Sequence, residues 1–382
     1  MYFTILLTLI VKFTDVIGQE SLKAELRKEI NSGKIAHAKL FFGKSGYGPL
    51  PLALSFVQYL YCEQKTEIDS CGECPSCKRI HDFNHPDIHY VFPIIKSAHQ
   101  VSSGAINEWR EQLLTNPYFN LSSWSSKIDS KNHRPIIPAE ESLEIIQKLN
   151  LKSYEGGPKV MIIWMAEEMN VNCSNKLLKI LEEPPTNTFI LLIVENVENL
   201  LLTIQSRTQK INVSRIASDD LSSYLVQNFQ LNRIDADSAS AFAEGDFLVA
   251  LDFLNTTEEQ AIYREQFVQM MRASYKKDVL GMLDWADKIA TEPKERQKFF
   301  IVYSLHMFRQ SIMANYIGPE MMRVSQEEEN FLKNFAPFIS GNNIREFQET
   351  FDNAHYHIDR NANPKILFTQ LCFQTMRYIH AA

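Results

Sequence analysis

Apolar residues recur along this chain with two different periods. From Ser21 to Asn31 the segment SLKAELRKEIN carries its leucines and isoleucine at helical spacing. After Gly33, the apolar run Lys39-Leu-Phe-Phe-Gly43 has the length of a buried strand. A glycine-rich loop follows, and Leu50 to Tyr61 predicts a second helix. Strand, glycine loop and helix in that order open a P-loop type α/β domain. Two further apolar runs, Val160-Met-Ile-Ile-Trp164 and Phe189-Ile-Leu-Leu-Ile-Val194, predict more strands of a parallel sheet. The first domain therefore spans residues 1–213. Within it, residues 97–133 are rich in Ser and Asn and punctuated by Trp109, Pro117 and Trp124, and read as an insertion of helix and loop without chemistry. Short amphipathic segments from Ser218 to Leu254, around Gly245-Asp246, predict a small helical domain at 214–257. Residues 258–382 are helical in period, with Phe and Met three and four apart through Phe299, Phe300, Phe308 and Met313. Such a stripe is ordinary helix core. No internal repeat is visible.

Composition narrows this picture. With 382 residues, two or three domains are expected, and 45% hydrophobic with 22% charged residues excludes collagenous and broadly disordered classes. A net charge of -7 repels phosphate backbones over the whole molecule, so any contact with DNA is expected to be shared with partners. Met1 to Val11 is apolar, but no positive charge precedes Ile5 and no small-residue cleavage site follows Val11. The stretch reads as an upstream extension of the start and the chain as cytoplasmic. No run of eighteen apolar residues predicts a membrane span.

Three segments bear on chemistry. The phosphate-binding pattern G-x-x-x-x-G-K-[ST] needs glycines that let backbone N–H groups cradle phosphate, a lysine for its charge and a hydroxyl for magnesium. Here Gly43 and Gly48 are in register, yet Pro49 stands at the lysine position and Leu50 at the hydroxyl position. Proline also lacks an N–H, while remaining acceptable in the first turn of a helix. The loop keeps the shape and lacks the chemistry, and by itself the motif reads equally as an ordinary glycine turn before a helix. Glu167 and Glu168, beyond the strand that ends at Trp164, read as solvated surface acids and not as the magnesium-binding pair that ATP hydrolysis requires.

The second segment holds Cys62, Cys71, Cys74 and Cys77, spaced Cys-x8-Cys-x2-Cys-x2-Cys, while Cys173 and Cys372 stand apart. Two successive C-x-x-C steps let adjacent sulfurs reach one tetrahedral ion, which predicts a closed, structural zinc site. His81 and His85 read as bystanders. The third segment is Asn175-Lys-Leu-Leu-Lys-Ile-Leu-Glu-Glu-Pro-Pro185, a short helix stopped by two prolines, followed further on by Ser206-Arg207-Thr208 in a polar turn. By itself Arg207 is a solvated arginine.

Taken together, Asp15-Val-Ile-Gly-Gln-Glu20, the strand ending at Gly43, the cysteine module, NKLLKILEEPP and Ser206-Arg207 resemble the bacterial clamp-loader delta-prime subunits of DNA polymerase III, over nearly all of the first 210 residues. The resemblance implies an AAA+ fold: a nucleotide-binding-like domain with the zinc module (62–77) inserted after the phosphate-loop helix, then an all-α lid and an all-α collar that oligomerises. It implies a rigid stator that hydrolyses no ATP itself, in a complex with motor (gamma/tau) and delta subunits that opens the sliding clamp and places it on primed DNA. The family's Ser-Arg-Cys motif matches as Ser206-Arg207-Thr208, which makes Arg207 the implied finger into a neighbouring subunit's ATP site. The polar sensor of the family falls near Glu195-Asn196, and no arginine follows Gly245-Asp246 where a second would stand. Two other readings compete: an active AAA+ ATPase such as a helicase loader, using Lys44, and a zinc-finger DNA-binding protein, for which only Lys78 and Arg79 among nearby acids supply charge.

Overall fold

The computed structural model describes residues 12–129, 133–255, 260–318, 324 and 326–380. The apolar stretch at Met1 to Val11 lies outside the described residues. The chain divides into two compact units, one of residues 1–236 with 243–251 and one of residues 237–242 with 252–382.

The first unit is built on five parallel strands: β1 (Ala38–Phe42), β2 (Ile88–Val91), β3 (Lys159–Trp164), β4 (Thr188–Val194) and β5 (Gln209–Asn212). Their order in the sheet is β2-β3-β4-β1-β5. The register sets Leu40 beside Leu192 and Leu192 beside Ile163. Because side chains alternate across a strand, one face carries Ala38, Leu40, Val91, Met161, Ile163, Ile190, Leu192 and Val194. Helices α6 (Glu141–Asn150) and α7 (Val171–Glu182) close that face with Ile145, Leu149, Cys173, Leu177 and Leu181. Both faces of a parallel sheet must be covered, and α2 (Pro49–Tyr61) also packs on β1 and β4.

Residues 97–133 turn out to be core builders. They form α4 (Ile106–Thr115) and α5 (Leu121–Ile128), with residues 130–132 outside the described set. Trp109 and Trp124 are completely buried. Trp109 stacks on Phe92 at 4.3 Å and meets Trp164 of β3 at 5.2 Å, and the Trp124 indole N–H donates to the Pro93 carbonyl at 2.7 Å. A large aromatic cluster therefore anchors the insertion to the sheet.

Two strands escaped the sequence reading, and both lie at the sheet edges. β2 is the four-residue Ile-His-Tyr-Val, and β5 is Gln-Lys-Ile-Asn, in which Ile211 alone is buried. Neither forms an apolar run. Helices α1 (Glu20–Ser32), α3 (Pro75–His81), α8 (Leu202–Gln205), α9 (Ser218–Phe229), α10 (Arg233–Ala243) and α11 (Phe247–Asn255) complete this part of the chain.

Beyond α11 the described residues are helical: α12 (Gln260–Lys276), α13 (Val279–Ala290), α14 (Lys294–Tyr316), α15 (Gln326–Phe335), α16 (Ile344–Asp359) and α17 (Pro364–Ile379). Phe299, Phe300 and Phe308 are buried, as the helical stripe predicts, while Met313 is half-buried, and Phe347, Phe351 and Phe368 are buried as well. Among the described residues no helix is long and apolar enough to cross a membrane.

Candidate functional site

The glycine loop leaves the C-terminal end of β1, which lies between β4 and the edge strand β5, and ligands of open α/β sheets bind at such strand ends. Gly43 and Gly48 have φ of 155° and 92°, and a methyl group on Gly43 would overlap the Val213 carbonyl. Pro49 and Leu50 are the first residues of α2, and both are buried. The two side chains that replace lysine and hydroxyl thus face packed protein, where neither could reach a phosphate.

The space around the loop is occupied by the protein itself. A methyl on Gly48 would lie 2.9 Å from the Tyr118 ring, which packs 5.0 Å from Phe247 while its hydroxyl accepts the Ile17 N–H at 3.0 Å. A methyl on Gly46 would overlap the Asp246 carboxylate. Asp246 caps α11, accepting the Leu248 N–H at 3.1 Å and the Val249 N–H at 3.4 Å. The Ser45 N–H donates at 3.0 Å to Glu195, from the loop that follows β4. Tyr118, Glu195 and Asp246 were not recognised from sequence as neighbours of this loop.

The expectation for Glu167 and Glu168 is corrected. Glu167 Oε1 accepts the Glu195 N–H at 2.7 Å and the Asn196 N–H at 3.3 Å, and Oε2 is buried without a hydrogen-bond partner. Burial pushes the Glu167 carboxyl up to about 8, with hydrogen bonds from the backbone opposing the rise and the nearby Glu195 charge adding to it. Burial also raises Asp246, against the pull of Lys44. Glu168 is engaged by the Arg134 guanidinium at 2.9 Å. Neither acid is a solvated surface group. The turn after β3 starts with Met165 in the left-handed region, at φ 52°, and this folds Glu167 back toward the end of β4.

A folded-state carboxyl raised above its ordinary value holds a proton that the unfolded chain releases, so its contribution to stability falls as pH rises from about 4.5 toward about 8. A Glu167→Gln chain keeps an acceptor for both amides and cannot ionise. Its urea midpoint is expected to fall less between pH 6 and pH 8 than that of the wild type, in paired denaturation curves.

The four clustered cysteines converge. Their sulfurs all lie within 4.8 Å of one another, with Cys62 to Cys71 at 3.5 Å and Cys71 to Cys77 at 3.9 Å. A tetrahedral ion at zinc–sulfur distances requires sulfur separations of about 3.8 Å, so the set can hold a metal ion. The knuckle is shaped by backbone N–H groups aimed at sulfur, from Cys71 to Cys62 at 3.2 Å and from Cys74 to Cys71 at 3.3 Å. His81 and His85 do not join the group. His81 faces Asp82, and His85 lies 3.2 Å from Glu155. Arg79 pairs with Glu155 at 2.6 Å, leaving Lys65 and Lys78 as exposed cations among exposed acids such as Glu63, Glu67 and Asp82, which weakens a DNA-reading role. Cys62 and Gly48 flank opposite ends of α2, a separation of about 20 Å at helical rise. The thiol cluster is therefore remote from the loop.

Arg207 follows α8 in the turn before β5. Its Nε donates to Glu182 at 2.8 Å, its NH2 lies 2.5 Å from the same carboxylate, and NH1 donates to the Thr203 carbonyl at 2.9 Å. Glu182 is the last residue of α7, so the turn and the NKLLKILEEPP segment meet at this pair. The side chain stays 35% exposed. Ser206 is exposed, with its hydroxyl donating to the Thr203 carbonyl at 3.1 Å.

Comparison with known proteins bears on the same part of the chain. A family model described as DNA polymerase III, delta subunit, matches residues 18–217. DNA polymerase III subunit delta' of Bacillus subtilis is 32% identical over 184 residues, covering 48% of this chain and 44% of that protein. The subunit delta' of Pseudomonas aeruginosa is 30% identical over 172 residues, covering 45% of this chain and 41% of that protein. DNA polymerase III subunit tau of Bacillus subtilis is 27% identical over 207 residues, covering 54% of this chain and 30% of that protein. The chain thus spans less than half the length of these curated relatives.

Proposed function

The chain belongs to the DNA polymerase III delta-subunit family, beside delta' relatives, and from that premise we propose that it is the catalytically silent helper of a clamp-loading complex. In this reading residues 1–213 are an AAA+ domain, with residues 214–257 as its lid and 258–382 as the collar that joins the other subunits. The chain works in the cytoplasm with gamma/tau motor subunits and a delta subunit, and it reaches the sliding clamp and primed DNA through them. Cys62, Cys71, Cys74 and Cys77 hold a structural zinc ion, whose chemistry is to cross-link the knuckle. ATP is bound and cleaved at the neighbouring motor subunit, where Arg207 supplies a permanently charged, planar fork to the transferring phosphoryl group.

The observation that carries the reading is the state of the loop. It has the glycines and the strand-to-helix geometry of a phosphate cradle, yet Pro49 and Leu50 are buried and the Ser45 N–H is held by Glu195. A chain built this way contributes shape without hydrolysis. The purified chain with magnesium and ATP is expected to release phosphate no faster than a protein-free blank, including with the clamp and primed DNA present. Steady turnover by the chain alone would overturn the reading in favour of an active ATPase.

A further inference from the structure

We infer that Glu195 and Asp246 close the phosphate loop from within, Glu195 as an internal acceptor and Asp246 as a steric plug, where a polyphosphate would otherwise sit. This deepens the silent-helper reading and rests on it. A phosphate cradle works through backbone N–H donors that point at the anion. The Ser45 N–H belongs to that set, and the carboxylate of Glu195 is its acceptor at 3.0 Å. The backbone that carries Glu195 is held in place, because its own N–H and that of Asn196 both donate to the Glu167 carboxyl. From the other side Asp246 is positioned by capping α11, and its carboxylate fills the room beside Gly46 that any larger residue would need.

The two acids differ in what they exclude. Glu195 competes for a donor, so an incoming phosphate would have to displace one anion to bind as another. Asp246 occupies the volume beside Gly46, and burial favours its neutral form against the pull of Lys44, so it excludes by bulk and not by charge. Their combined effect is to exclude polyphosphate and to join the loop, the end of β4 and the start of α11 without any nucleotide. Loss of the lysine and hydroxyl would by itself weaken nucleotide binding, but it would leave the backbone cradle open to a free anion. In this chain Glu195 takes the Ser45 donor and Asp246 the space beside Gly46, while the Tyr47 and Gly48 amides donate within the loop to the Lys44 and Ser45 carbonyls.

The test uses the full chain and inorganic tripolyphosphate, followed by titration calorimetry. Serine at position 246 keeps the helix cap, so Glu195→Ala combined with Asp246→Ser removes both carboxylates while preserving α11. The combined variant is expected to bind tripolyphosphate at least about ten-fold more tightly than the wild type. Hydrogen exchange gives a second readout that needs only single variants. Exchange of a peptide containing Ser45 should speed up about ten-fold in Glu195→Ala and stay slow in Glu195→Gln, whose side-chain carbonyl still accepts the amide. Equal tripolyphosphate affinity in the wild type and a combined variant of unchanged melting temperature would overturn the inference. Unchanged Ser45 exchange in Glu195→Ala would overturn it too, whatever the combined variant does. These readouts use the isolated chain, so a failure to load clamps would contradict the functional reading and leave this result intact.

Discussion

Replacing Cys74 with serine is expected to strip the metal from the chain and to unfold the knuckle, while the parallel sheet persists. The packed cluster at the heart of this module consists of Cys62, Cys74 and Cys77 with Cys71 against them, so the ion would be its core. A structural zinc of this kind is worth ~10 kcal/mol or more of local folding free energy. No hydrogen bond nearby approaches that figure, since each contributes about 1 kcal/mol net. The damage would spread to the segments bonded to the module. Asp69 of the knuckle accepts the Phe13 N–H at 3.1 Å and the Thr14 N–H at 2.8 Å, and Arg27 of α1 donates to the Ile68 carbonyl at 2.9 Å. The sheet core would be spared, because none of the four cysteines belongs to it. Metal analysis should find about one zinc per wild-type chain and none in the variant. Limited proteolysis should then cut the variant between Cys62 and His85 well before it cuts elsewhere. A variant that keeps both its metal and the wild-type cleavage pattern would refute the assignment.

The contrast between what the sequence disclosed and what it concealed follows from how local each signal is. β1, β3 and β4 lie inside the sheet, covered on both faces, so each carries an apolar run that can be recognised in isolation. β2 and β5 are edge strands, and Lys210 and Asn212 of β5 are exposed, so no such run exists to be seen. The cysteines were legible for a related reason: two C-x-x-C steps bring sulfurs together through the local chain alone. The closing of the phosphate loop could not be read that way. Glu195 lies 150 residues from Ser45, and Asp246 is further still, so their convergence is a product of strand order and of the turn at Met165. Glu167 was misjudged because distance from the strand end suggested solvent, whereas the left-handed turn sends it back beneath the β4 end. Arg207 drew attention only through a family motif, and its partner Glu182, 25 residues earlier, is a contact made by the fold.

That contact shapes the most direct test of the whole account. In the isolated chain the Arg207 guanidinium is engaged by Glu182 and Thr203. A partly exposed pair is worth ~0.2 to 1 kcal/mol, whereas an arginine finger raises turnover by ~10³ to 10⁵, or ~4 to 7 kcal/mol of transition-state stabilisation. Release from Glu182 is thus a small cost against the role proposed for it, and the pair would hold the fork ready until a neighbour's phosphates compete for it. The measurement is ATP turnover, stimulated by clamp and primed DNA, of the reconstituted loader carrying this chain or its Arg207→Ala variant, with equal assembly verified by sizing. The account predicts a fall of about 10³ or more with the complex intact, and only partial rescue by Arg207→Lys, which lacks the planar fork. Turnover unchanged in Arg207→Ala would contradict it, and Arg207 would then be no more than the surface partner of Glu182.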